Sequence, residues 1–96
     1  MIVKVYNVQG ELMLAICDKD LLGTKIQTEE VEVEISDFYA GEEMSKEEIL
    51  SLLKDATIVN AIGKNTVNFL ISNGFVHKEN VLYLGSIPHI QIIKMK

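Results

Sequence analysis

The chain contains no arginine: all nine of its basic residues are lysines. The planar guanidinium fork that clamps phosphates and reads guanine edges is therefore missing. Fourteen acidic residues leave a net charge of −5, which repels a phosphate backbone at long range and weighs against non-specific nucleic-acid binding. Lys4, Lys94 and Lys96 are candidates for a local basic patch, against the plainer expectation of solvated surface lysines.

Cysteine is almost as scarce. The lone Cys17 makes no internal disulfide, and it sits in the apolar run LMLAIC, where a thiol behaves as a small hydrophobe. A single thiol points to a reducing compartment. With His77 and His89 it offers no paired ligand spacing, so no metal site is expected, and nothing in the sequence ties a histidine to Cys17 for nucleophilic catalysis. No cofactor motif is present. No apolar run approaches the ~20 residues of a membrane helix, and IVKVY directly after Met1 reads as a strand, not a leader. A cytoplasmic protein with no membrane partner is the expectation.

What is present suffices for a packed fold. Ninety-six residues, 48% hydrophobic and 24% charged, predict a single domain over residues 1–96. Residues 2–8 and 11–17 read as a hairpin turning at Gln9-Gly10, the second strand apolar on both faces. Residues 18–23 read as a turn or one short helical turn ending at Gly23. Residues 30–35 alternate, with Val31, Val33 and Ile35 on one face and Glu30, Glu32 and Glu34 on the other. Ser45-Lys46-Glu47-Glu48 is a capping box that opens a helix over 46–55. Residues 57–62 are β-branched and suggest a buried strand, with a prolonged helix as the alternative. A second helix over 65–73 stops at Gly74, Phe75 folding back on Leu70. Residues 81–84 and 89–95 are the last strands, joined through Gly85-Ser86-Ile87-Pro88. The fold class is α/β, with α+β as the alternative: a mixed sheet of five to six strands, two helices, and one βαβ crossover made by 57–62, 65–73 and 81–84.

Three segments are candidates for a site. At Asn60 to Thr66 a strand runs into a helix: Gly63 permits close backbone approach, Lys64 adds charge, and free amides at the helix start attract anions. A P-loop is excluded, because Ile58 stands where that motif has its first glycine and Asn65 displaces the hydroxyl. A capped helix begun by Asn65 or Gly63 is the plainer alternative. His89 and Gln91 share a strand face and both donate and accept hydrogen bonds; they face either a ligand or a neighbouring loop. Phe38, Tyr39 and Glu42 lie in a loop whose aromatics either stack on a partner or cap the core.

Cys17-Asp18 with Leu21-Leu22-Gly23, then Phe38-Tyr39-Ala40-Gly41-Glu42, Asn60 with Gly63, and Pro88-His89 with Gln91 together resemble the archaeal domain of unknown function family 424, over essentially the whole chain. The resemblance implies a small archaeal cytoplasmic protein with no assigned catalytic residues, linked to translation or ribosome assembly. The leading expectation is a non-enzymatic binding module whose partner is a ribosomal component, a translation factor or RNA. The alternative is a small-molecule or anion-binding enzyme using the 63–66 helix start with His89 as acid–base. A homodimer through an exposed strand edge is a third possibility.

Overall fold

In the computed structural model, which describes residues 1–94, two helices pack on one face of a mixed six-stranded sheet. Strands β1 (Ile2–Val8) and β2 (Glu11–Cys17) form the expected antiparallel hairpin. A 3-10 turn at Lys19–Leu21 leads into two short strands, β3 (Lys25–Gln27) and β4 (Glu32–Glu34), which pair only with each other. The strand expected over 30–35 is thus shorter. Its first residues go into the turn, where the Thr28 hydroxyl accepts from the Glu30 and Val31 amides. A second 3-10 turn, Asp37–Tyr39, and the two-residue strand β5 (Glu42–Glu43) precede helix α1 (Lys46–Asp55).

Helix α1 has the bounds its capping box predicts. The Ser45 hydroxyl accepts from the Glu48 amide, and the Glu48 carboxylate accepts from the Ser45 amide. Ile49 and Leu53 are fully buried beneath it, each stabilising the fold by ~1.5–3 kcal/mol. Strand β6 (Ile58–Ile62) follows. The extended reading of this run is correct, because its alternating side chains fill both faces of the sheet. Helix α2 (Lys64–Ser72) ends as expected: Gly74 has a φ of 78°, its amide donates to Ile71, and the Phe75 amide donates to Leu70. These two bonds define a Schellman stop.

Strands β7 (Leu82–Leu84) and β8 (Ile87–Ile93) close the sheet. Only Gly85 and Ser86 form the turn, so Ile87 and Pro88 belong to β8 and not to the connection; the expected end at Met95 lies outside the described residues. The strand order is β5-β1-β2-β6-β8-β7. The expected β6-α2-β7 crossover exists, with β8 inserted between its two strands. A second crossover, β2-α1-β6, joins directly adjacent parallel strands, and the hairpin β3–β4 is carried in its connection.

Register assigns the faces. Val3, Leu14, Ile16, Val59, Ala61 and Ile90 pack under the helices with Val67 and Leu70. Ile2, Cys17 and Ile62 point the opposite way and are covered by Ile26, Val33, Ile35 and Tyr39. No described helix is long and apolar enough to cross a membrane.

Candidate functional site

The second sheet face is only partly covered. Reading across the strands, Ile2, Cys17, Ile62, His89 and Leu82 form one row. Lys4, Ala15, Asn60 and Gln91 form the next, and Tyr6, Met13, Ile58 and Ile93 a third. The β3–β4 hairpin covers the first row as far as Ile62. The Asp37–Tyr39 turn lies over β1: Lys4 Nζ donates to the Asp37 carbonyl and the Tyr6 hydroxyl to the Phe38 carbonyl. Phe38 stacks on Tyr6 at 5.5 Å and meets Tyr39 edge-on at 5.0 Å. Beyond these covers Gln91 is exposed, Asn60, His89, Ile58 and Met13 are half-buried, and Leu82 and Ile93 are 61% and 67% exposed. Asn60 Nδ2 reaches the Met13 sulfur at 3.5 Å.

Five of the residues singled out from sequence therefore meet on one face: Phe38 and Tyr39 at its β1 side, and Asn60, His89 and Gln91 on β6 and β8. Tyr39 serves mainly as a lid. Burial, then the neighbouring Cys17, raises its phenol above the ordinary range. Glu42 lies apart, exposed on the β5 edge opposite Val3.

Gly63, Lys64 and Asn65 mark the strand-to-helix handover as expected, and the Gly63 amide donates to the Pro88 carbonyl at 2.9 Å. The expectation of open amides needs correction. Asp18, which the sequence did not mark as a site residue, fills them. Its Oδ2 accepts from the Asn65 amide at 3.1 Å, and its Oδ1 accepts from the Thr66 amide at 2.8 Å and the Thr66 hydroxyl at 2.7 Å. Asp18 is 6% exposed, and its carboxylate supplies the anion that a helix N-terminus attracts. Gly63 has a φ of 114°, and a Cβ there would overlap the Asp18 carboxyl group, so glycine is needed twice over.

The enzyme alternative required His89 to work with this helix start. Register puts His89 on the face opposite the helices, while α2 lies on the other. One groove is lined by Lys64 and Pro88 and another by Asn65 with Asp18, and His89 lines neither. Cys17 is no nucleophile: burial, then Asp18, holds its thiol up to about 11, fully protonated at neutral pH. No three His, Cys, Asp or Glu side chains among the described residues come together as a metal cage. Among the described residues Lys4 and Lys94 do not come together as a basic patch. Lys4 lies on the open face, while Lys94 Nζ donates to the Leu53 carbonyl and sits 5.7 Å from the Phe75 ring centroid; Lys96 lies outside the described residues.

A family model described as "Protein of unknown function (DUF424)" matches residues 6–95. A crystal structure of an uncharacterized conserved protein from Methanopyrus kandleri superposes with a TM-score of 0.83 at 22% identity, covering 99% of this chain and 93% of that one. At that identity the likeness establishes the fold. No curated protein matches the chain.

Proposed function

Because the chain belongs to the DUF424 family of proteins of unknown function, membership brings no activity with it, and we propose a role from the molecule's own surface: a non-enzymatic binding module that docks a protein partner on the open sheet face. The observation that carries this is the partly open stretch of three rows on β6, β8 and β7. Leu82 and Ile93 leave large apolar side chains in water beside Asn60, His89 and Gln91. A patch of this kind marks an interaction surface, and amides and an imidazole within it fix register by hydrogen bonds. The face is broad and not enclosed, which suits a macromolecule better than a substrate that must be desolvated.

The partner class is a ribosomal protein or translation factor. A net charge of −5 without arginine steers association toward a basic protein and away from RNA. The setting in translation follows the family resemblance. The test is affinity purification of the tagged chain from its own cells, read by mass spectrometry and RNA sequencing, alongside the double substitution Leu82→Lys and Ile93→Lys. The expected result is enrichment of a basic translation component by the parent chain and its loss from the folded variant. Recovery of neither ribosomal components nor RNA would sink the proposal, and recovery of RNA without protein would overturn the choice of partner.

A further inference from the structure

From the groove between α2 and β7, on the sheet side away from the open face, we infer a binding site for a small aromatic anion. Val67, Ile71, Val81 and Pro88 line it, Tyr83 stands at its edge, and Lys64 and Lys78 are its charged groups. In a chain with fourteen acidic and nine basic residues, this lining holds two lysines and no carboxylate. Among the described residues the ion pairs are Lys19 with Glu43 and Lys25 with Glu32. Among those residues the ammonium groups of Lys64 and Lys78 make neither an ion pair nor a hydrogen bond. A cation at the first position of a helix opposes the macrodipole, so the backbone of α2 does not itself favour Lys64 at that position.

Tyr83 is 65% exposed and makes no ring contact with another aromatic among the described residues. A flat ring laid against it buries apolar surface on both partners, while a carboxylate or phosphate on that ring meets the two ammonium groups. The volume, about 240 Å³, lies below the ~300 Å³ at which drug-sized sites begin. It suits one ring carrying one anionic group. The site is independent of the open face, and the two proposals fail separately.

The experiment is an amide NMR titration of the full chain with phenyl phosphate, with phenol and inorganic phosphate as separate arms. Saturable shifts are expected at Asn68, Ile71, Lys78, Tyr83 and Ser86, with phenol and inorganic phosphate each binding at least ~10-fold more weakly. Lys64→Ala and Lys78→Ala, both at exposed positions, are expected to weaken phenyl phosphate ~3-fold each while preserving the spectrum of the folded chain. Absence of saturable shifts, shifts confined to other surfaces, equal affinity for phenol and phenyl phosphate, or indifference to both lysine substitutions would each overturn the inference.

Discussion

Replacing Asp18 tests the local structure most directly, because one carboxylate holds the first turn of α2. Asp18→Ala removes three accepted hydrogen bonds and leaves the buried Thr66 with unpaired donors. Loss of an N-cap costs ~1 kcal/mol, and each buried unpaired donor ~1–3 kcal/mol. A total of ~3 kcal/mol follows, since the carboxylate's own desolvation cost disappears with it. Asp18→Asn keeps one oxygen for the Thr66 pair and is expected to cost ~1–2 kcal/mol. In urea, with a slope of ~1 kcal/mol per molar for a small domain, the alanine variant's midpoint falls by ~3 M.

The same cavity should accept a free anion. Formate is expected to restabilise Asp18→Ala in proportion to its binding and to leave the parent unchanged. A cycle with Gly63→Ala isolates the steric part. In the parent the new methyl overlaps the carboxyl group; in Asp18→Ala only the backbone strain at φ 114° remains. The two substitutions should therefore couple by at least ~1 kcal/mol. Additive losses, with no response to formate, would refute the reasoning.

Two further outcomes are expected. Ser45→Ala, which removes the hydroxyl that accepts from the Glu48 amide and keeps the backbone amide that donates to the Glu48 carboxylate, should lower stability by ~1 kcal/mol in the same urea assay; a loss below ~0.3 kcal/mol would show that packing of Ile49 and Leu53 alone holds α1. Alkaline pH should destabilise the fold. Burial, then Asp18, raises the Cys17 thiol from 9.0 to about 11, Asp20 adding to this and the N-terminal charge opposing it, and Tyr39 is raised as well. The unfolded chain releases these protons first, so stability is whole below pH 9 and falls between pH 9 and 11, by on the order of 2 kcal/mol. Cys17→Ala should flatten the decline in urea midpoint over that range, and identical slopes in both chains would contradict it.

The parts of the fold legible in sequence are those written in neighbouring residues. Ser45 and Glu48 specify their helix start within four positions, Gly74 and Phe75 specify a helix stop, and the alternation of His89 with Gln91 places them on one face. Strand β3 was missed because KIQ is too short to show a period. The role of Asp18 depends on the parallel pairing of Cys17 with Ile62, which sets Asp18 beside Gly63 across more than forty residues. A helix start with glycine and lysine looks open in sequence because nothing local reveals a carboxylate arriving from another strand. Asn60 joined Gln91 for the same reason: the residues were visible, and the row they form comes from register.

The distribution of cover over the sheet argues for where a partner would reach. Both helices lie on one face, and the other receives a hairpin of two three-residue strands, the Asp37–Tyr39 turn, and Leu21 and Leu22 from the turn after β2. These protect β1 and the end of the sheet that carries Ile2, Cys17, Ile62, Leu84 and Ile87, and leave Leu82, Gln91 and Ile93 exposed. The two sheet edges differ in the same sense. The β5 edge is two residues long and carries Glu42 and Glu43, a charge pattern that discourages strand addition. The β7 edge carries Leu82, Tyr83 and Leu84, and no acidic residue lies within the strand. A chain that blunts one edge with charge and keeps the other apolar, next to exposed Ile93 and Gln91, would direct the proposed partner to one side. A partner seated on the open face meets its largest apolar contacts at Leu82 and Ile93, and for that reason the paired lysine substitutions at those positions are the sharpest probe of the surface.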